Sequence, residues 1–535
     1  MKYFLLLLLF PGQLFSQSFS PKDIARWQKQ AKNVTIYRDD FGVPHIYGKT
    51  DADAVFGLLY AQCEDDFQRV EMNYIEKSGR LAEIKGEEKL YDDLLIRLVI
   101  DQEEAKKDFG KAPAWLKKLC IAFADAINFY LYKHPTTKPV LLKKFEPWFP
   151  LLWTDGSIGA INTADITVAR LKNFYSGQPP TDVAKEEFSE PLATGSNGFA
   201  FSPKITAAGN AILYINPHVT FYFRPEVHMV SEEGFNAYGA VTWGQFFIYQ
   251  GFNEHCGWMH TSSAVDAADT YTEKITRKGS QYLYEYEGKQ YPLSQKEITI
   301  RYKQSTTTLN KTFHCFATPH GPVMAGRNNR WLTLRADNRL MNGLVQCWQR
   351  TKAKGLEDFR KTLDLKGNIS NNTVYADAAG NIAYWHGNRI PVRDTMYNWS
   401  QPVDGTTSAT NWKGYHSINE TVHVINPANG WLQNCNSTPF TVAGYHSPKK
   451  ESYPAYMAPD GENFRGINAA RTLSENNNYD LDKVIAAGYD RRLSAFEVLV
   501  PALVPALAHT TGADTLSQLK EAVLLLSKWD YPHLP

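Results

Sequence analysis

The spacing of apolar and polar positions divides this chain into stretches of different period. Residues 33–48 alternate apolar and polar side chains on either side of Asp39-Asp40-Phe41-Gly42, which predicts two short strands around a turn. Asp51 is then expected to cap a helix whose apolar positions Val55, Leu58, Leu59 and Phe67 recur at helical spacing. Residues 90–175 keep the helical period, with interruptions at Pro113, Pro135, Pro139 and Pro147. Gly177-Gln178-Pro179-Pro180 and the acidic run to Glu190 read as a loop or linker. From Ser196 the period becomes that of strands, beginning with Phe199, Phe201 and the run Ala211 to His218. Hairpins come next, among them Lys274 to Tyr291 around Arg277-Lys278-Gly279, and Val374 to Trp385 turning at Ala379-Gly380-Asn381. Beyond Asn476 the helical period returns, first at Leu481, Val484 and Ile485. A helix-rich, then strand-rich, then helix-rich order predicts an α+β layered fold rather than alternating βαβ units.

Composition narrows the possibilities. With 535 residues, 43% of them hydrophobic and 21% charged, the chain can bury a large core and is not disordered by composition. A formal net charge of +1 gives no electrostatic case for binding nucleic acid or an anionic membrane surface. Lys2, the apolar run Phe4 to Phe10 and small residues near Ser16 have the form of an export signal over residues 1–16. That run is too short to span a bilayer, and no later stretch is suited to it, so the expectation is an exported protein, periplasmic or extracellular, with no membrane span. The six cysteines lie far apart without a C-x-x-C pair, which excludes thiolate-metal and redox motifs and predicts buried single thiols.

The most informative polar stretch is Gly195-Ser196-Asn197, where linker gives way to strand. A lone Gly-Ser-Asn is ordinarily a plain loop. The alternative is self-cleavage after Gly195, which leaves Ser196 as a new N-terminus carrying nucleophile and base on one residue. A free α-amino group has a pKa of roughly 8, close to working pH, so it can accept the hydroxyl proton itself. Gly195 suits such a cut because it offers no side chain to block attack on its carbonyl.

Several further stretches decide between these readings. They are Asp40-Phe41-Gly42-Val43-Pro44-His45-Ile46, the region from Gln62 to Gly79-Arg80-Leu81-Ala82-Glu83, Asn216-Pro217-His218, and Gly257-Trp258-Met259-His260-Thr261. His320-Gly321-Pro322-Val323, Asp377-Ala378-Ala379-Gly380-Asn381-Ile382, Asn434-Cys435-Asn436-Ser437-Thr438-Pro439 and Asn468-Ala469-Ala470-Arg471 complete the set. In this order, over nearly the whole chain, they resemble the penicillin acylase family of N-terminal-nucleophile hydrolases, nearest the cephalosporin, aculeacin and acyl-homoserine-lactone acylase branch. The resemblance implies an αββα sandwich, with a helix-rich first subunit over 17–177, a linker or spacer over 178–195, and a second subunit from Ser196 to residue 535. The two would form a heterodimer of fragments of one precursor.

The same resemblance assigns roles. Ser196 matches the nucleophile and the new N-terminus after Gly195. His218 lies where it can hydrogen-bond the freed amine, in place of the glutamine of the penicillin G type. Asn436 matches the side-chain donor to the oxyanion and Ser262 the backbone N–H donor. Arg471 matches the arginine that orients the asparagine, with Arg465 a competitor. Asp266, the carbonyl of Ala268 and Asp269 match part of a calcium site; further acids are expected near Asp165 and Asp460. Val219 and Gln250 stand where the phenylacetyl-binding type has phenylalanines, which implies a different acyl pocket. The implied substrate is a small N-acyl compound: an acyl-homoserine lactone, a lipopeptide or a β-lactam. Relatives usually continue beyond the Trp529-Asp530 at which this chain nearly stops, so a C-terminally truncated second subunit is expected. Two other readings compete, an uncut secreted glycan- or lipopeptide-binding protein and an inactive truncated homologue.

Overall fold

The computed structural model describes residues 19–152, 161–177, 195–219, 224–327, 330–508 and 515–528. The expected signal, the linker before Gly195 and the segment after Lys528 lie outside the described residues.

The hairpin predicted over 33–48 forms as Val34–Arg38 and Pro44–Gly48, antiparallel. Its second strand then pairs in parallel with Glu226–Ser231. Through this pairing a nine-stranded sheet draws on both halves of the chain. Its order runs on through Phe235–Ala240, Gln250–Asn253, Cys256–Ser262, Asn371–Asp377, Ile382–His386 and His423–Ile425. The helix after the hairpin spans Asp51–Lys77, and its cap is Thr50 rather than Asp51. The Thr50 hydroxyl accepts from the Asp53 amide at 3.1 Å, and the Asp53 carboxylate accepts from the Thr50 amide at 3.2 Å, a capping box. Asp51 is instead turned outward, where its carboxylate accepts from Ser231 and Lys352.

This helix, with Ala114–Lys133, covers one face of the large sheet; Leu58, Leu59, Phe123, Ile127, Trp258, Tyr375 and Trp385 meet in the largest core. On the opposite face lies a three-stranded sheet, Trp431–Asn434, Gly195–Phe201 and Ile212–His218. Ala200, Leu432, Met259, Val374 and Tyr384 fill the space between the two sheets. Outside the small sheet, Phe199, Phe201 and Trp431 pack against Ala469, Leu473 and Val484 of the helices Phe464–Ser474 and Leu481–Gly488. The layers therefore run helix, sheet, sheet, helix, as the α+β expectation required. An eight-stranded sheet built around Ala268–Lys278 forms a separate body beside the sandwich. All six cysteines are buried and unbridged. Among the described residues no helix is long and apolar enough to cross a membrane.

Two differences from the sequence reading bear on the site. Gly195, Ser196 and Asn197 lie inside a strand, opposite His218, Pro217 and Asn216, rather than in the loop before it. The helix Phe464–Ser474 begins before the point at which the helical period becomes legible, because Gly466 and Asn468 mask its pattern.

Candidate active site around Ser196

Ser196 sits on the middle strand of the small sheet and is only 2% exposed. Its amide donates to Asn436 Oδ1 at 2.7 Å. Asn436 Nδ2 in turn donates to the carbonyl of Ser262 at 2.9 Å, so one amide side chain bridges the small sheet to the large one. Arg465 closes the group: its guanidinium donates to Asn436 Oδ1 at 3.1 Å, to the Ser196 carbonyl at 3.3 Å and to Asn197 Oδ1 at 2.8 Å. His218 arrives from the neighbouring strand. A Cβ placed on Gly195 would lie 2.5 Å from His218 Nε2 and 3.0 Å from Asn436 Oδ1, so only glycine fits there without displacing these groups. Burial, and after it the charge of Arg465, hold the His218 imidazole below its usual range, which keeps it neutral at pH 7.

Asn436 is held by more than its amide. Its backbone adopts φ 58°, the left-handed region. The Asn436 N–H donates to Asn434 Oδ1 at 3.0 Å, and Asn463 Nδ2 donates to the Asn436 carbonyl at 3.0 Å. Asn434 Oδ1 also accepts from Thr261 Oγ1 and from Asn372 Nδ2. Asn372 leads to His386, Nδ1 to Oδ1 at 2.8 Å, and His386 Nε2 lies 3.4 Å from Asp460 Oδ2. Asp460 returns to the segment after Ser262 by accepting from the Ala264 amide at 2.7 Å. Thr261, Asn372, Asn434 and His386 are fully buried, so the turn bearing Asn436 rests on a buried polar network. Nothing in the sequence singles out Asn372 and His386 as polar partners, and Asn434 stands in the quoted motif with no role assigned to it. Strand alternation marks them only as buried positions.

The structure thus brings together Ser196, His218, Asn436 and the backbone of Ser262. It does not bring Arg471. That side chain turns away to Asn468, Glu475 and Asp490, the nearest contact being 2.6 Å to Glu475. Six residues along a helix rotate a side chain by about 240°, so Arg465 and Arg471 cannot share a face. Arg465 is the arginine of this cluster. Val219 comes directly after His218 and is half-buried, while Gln250 is buried in the large sheet opposite Ala240. Two cavities adjoin the cluster, and neither has Val219 or Gln250 in its wall. One, of about 450 Å³, is lined by Asp165, Ser263, Asp266, Ile369 and Trp399 among others. The other, of about 260 Å³, lies beside Asn197, Arg465 and Asn468.

Asp266 and Asp269 do lie together, with Ala268 opening the strand between them and the Ala268 backbone hydrogen-bonded to Asp266. Their shared partner is Arg393. It donates to Asp269 Oδ2 at 2.8 Å, to the Asp266 carbonyl at 2.7 Å and to Asp266 Oδ1 at 3.1 Å. Burial pushes both carboxyls up, Asp266 to about 7, against the attraction of Arg393. Calcium takes six to eight oxygens, and among the described residues no group of three or more acids, histidines or cysteines is placed to hold a metal. Asp460, near which a further acid is expected, accepts from the Ala264 amide through Oδ1, and its Oδ2 lies 3.4 Å from His386 Nε2 without a hydrogen bond. This arrangement does not fit a calcium cage.

The family model described as penicillin amidase matches residues 33–534. The penicillin acylase 2 proenzyme of Pseudomonas sp. (strain SE83) is 25% identical over 484 residues, covering 80% of this chain and 60% of that one. The acyl-homoserine lactone acylase QuiP of Pseudomonas fluorescens (strain Pf0-1) is 24% identical, covering 86% of this chain and 62% of the relative. The chain thus spans about three fifths of the length of these relatives. Among solved structures, the thermostable penicillin G acylase from Alcaligenes faecalis in orthorhombic form aligns with a TM-score of 0.50 and 19% identity. That alignment covers 63% of this chain and 59% of the other, and it bears out the fold.

The two arginines give a direct test of the cluster. Arg465→Ala is expected to slow the chemistry at Ser196 by about tenfold or more, the worth of a charge-assisted hydrogen bond. Arg471→Ala should leave it within about twofold. Rates of the purified variants on one amide substrate check this, and the reverse ranking would remove Arg465 from the site.

Proposed function

The chain belongs to the penicillin amidase family, and we propose that it is the precursor of an exported amidohydrolase that cuts the amide of an N-acylated small molecule through an acyl-enzyme on Ser196. The observation that carries this reading is the convergence of His218, Asn436 and Arg465 on the Gly195–Ser196 peptide. In the continuous chain the Ser196 nitrogen is a peptide N–H and has no basic lone pair. The serine hydroxyl therefore attacks the Gly195 carbonyl first, in an N-to-O acyl shift, with His218 the neutral group beside the junction. Hydrolysis of that ester releases Ser196 with a free amine, which donates an N–H to Asn436 Oδ1 while the neutral His218, donating its ring N–H to the amine lone pair, holds it unprotonated. In turnover the amine takes the hydroxyl proton, Ser196 Oγ adds to the substrate carbonyl, and the same proton passes to the leaving amine. Asn436 Nδ2, exchanging the Ser262 carbonyl for the substrate, and the N–H of Ser262 are the donors for the tetrahedral oxyanion.

The shared nine-stranded sheet supports the heterodimer. A cut before Ser196 leaves the parallel pairing of residues 45–48 with 228–231 intact, so the fragments stay joined by backbone hydrogen bonds and by the core beneath them. Residues 1–16 serve as the export signal in this reading.

Mass spectrometry of the mature protein tests maturation. Two fragments, one starting at Ser196, are expected, whereas Ser196→Ala should remain one uncut, inactive chain. Asn436→Ala should raise the barrier to turnover by about 2.7–4 kcal/mol, the value of one oxyanion donor. A Ser196→Ala variant that is cut and turns over normally would overturn the assignment.

Self-cleavage should also carry the signature of His218. Its pKa is lowered in the folded chain, so the neutral form persists below the ordinary histidine value of about 6.5. The rate of precursor cleavage is expected to be level from pH 8 to about 6.5 and to fall only at lower pH. A midpoint above that ordinary value would contradict a neutral His218 at the junction.

For the substrate, fatty N-acyl compounds such as acyl-homoserine lactones and lipopeptides come first, and β-lactams second. By the resemblance His218 stands for the glutamine, and Val219 and Gln250 for phenylalanines, of the phenylacetyl type, and one relative carries the name acyl-homoserine lactone acylase. Each methylene buried in an apolar pocket contributes about 0.8 kcal/mol, so kcat/KM should rise several-fold per carbon until the pocket is full. Assay of a chain-length series beside penicillin G checks this. Preference for penicillin G with no dependence on chain length would return the enzyme to the aromatic-acyl class.

A further inference from the structure

We propose that the Arg393 guanidinium is a built-in replacement for a divalent cation between Asp266 and Asp269, so that this chain holds the segment after Ser262 without metal. The inference does not depend on what Ser196 does, because it concerns only what neutralises and orders these two carboxylates.

Arg393 is fully buried, as is Asp269, and its planar fork reaches both carboxylates and the Asp266 carbonyl at once. Those atoms are of the kind a hard cation would take: two carboxylate oxygens and a backbone carbonyl, all within 3.1 Å of one positive group. The surroundings fit a guanidinium better than an ion. Trp399, Trp412 and Tyr456 surround it with ring centroids 5.4, 5.8 and 5.4 Å from its central carbon, walls that suit a weakly hydrated planar cation and supply no ligands to calcium. The Trp412 indole N–H donates to the same oxygen of Asp269 that Arg393 holds, and the Tyr456 hydroxyl accepts from the Arg393 backbone amide at 3.2 Å.

Charge decides between the two cations. The pair of carboxylates carries two negative charges when ionised, and Arg393 supplies one positive. Arg335, stacked on Trp412 at 4.4 Å and acting on Asp269, supplies a second. The cluster is then neutral. A divalent ion added to it would leave two excess positive charges in a buried site, which burial opposes strongly. Asp269 Oδ1 has no hydrogen-bond partner, but a single oxygen does not make a calcium site beside two guanidinium groups.

The position of the clamp gives it a consequence. Residues 262–269 run from the backbone beside Ser196 into the eight-stranded sheet, and Arg393 reaches them from the loop after Ile382–His386. A guanidinium on the chain cannot be removed by a chelator or lost on dilution.

The test uses the purified full chain. Elemental analysis is expected to find less than about 0.1 calcium per chain, and EGTA or about 5 mM CaCl2 to shift the melting temperature by less than about 1 °C. Arg393→Gln, which removes the charge and leaves two buried carboxylates, should lower the melting temperature by about 5 °C or more. Stoichiometric calcium, or a melting temperature that falls in EGTA and returns with CaCl2, would overturn the proposal. So would an Arg393→Gln chain as stable as the parent. If that variant does not fold, the parent's calcium content and chelator response still decide.

Discussion

The hydrogen bond from the Ser196 amide to Asn436 Oδ1 joins residues 240 positions apart, and the arrangement of the site depends on it. It fixes the strand that begins at Gly195 against the turn after Trp431–Asn434, and through Asn436 Nδ2 it fixes both against Ser262 on the large sheet. Arg465 then has one place to go. Its guanidinium meets two carbonyl-type oxygens already brought together, the Asn436 side chain and the Ser196 backbone. Without the amide bridge the two sheets would still pack through Ala200, Met259 and Val374. Apolar contacts of that kind set a distance between layers, and a directional bond is needed to set which residues face each other across it.

The parts of this geometry legible in the sequence are those that depend on local order. Gly195-Ser196 and Asn216-Pro217-His218 are legible as successive strand segments, and the structure pairs them antiparallel with His218 opposite Gly195. Asn436 is legible through its motif, and its turn agrees with that. The motif favours Arg471 over Arg465, and the structure reverses the choice. Both lie on one helix, spacing along the chain does not say which face meets Ser196, and Gly466 conceals the helix altogether. Asp266 and Asp269 illustrate a different limit. The resemblance implies a calcium ion at these two acids, but the positive charge between them is that of Arg393, 124 residues beyond Asp269, and no local pattern points to it. Asn372, His386 and Asp460 are likewise polar residues whose partners exist only after the sheets have assembled.

The shared large sheet changes what a cut at Ser196 would mean. Ordinarily a break in the chain restores conformational entropy, and two fragments drift apart unless their interface outweighs it. Here the hairpin at 34–48 is an integral edge of a sheet whose other strands lie beyond residue 226, and the helix after it supplies much of the core under that sheet. Separation would expose that core and leave strand edges unpaired. The interface between the fragments is thus an interior, and its strength is that of the fold.

Asn436 shows how one residue meets two requirements that compete. Its turn needs a positive φ, and for most side chains that conformation costs roughly 1–2 kcal/mol, which is why glycine is the common solution. Glycine would relieve the backbone and delete the amide that bridges Ser196 to Ser262. Asparagine tolerates the left-handed region better than other side chains and keeps an acceptor and a donor on one planar group. The remaining strain is opposed by Asn434 and Asn463, which grip the backbone on either side of it. Those two grips would be unnecessary for a glycine turn. Their presence argues that the position was settled by what the amide does, and that the turn was then built around it.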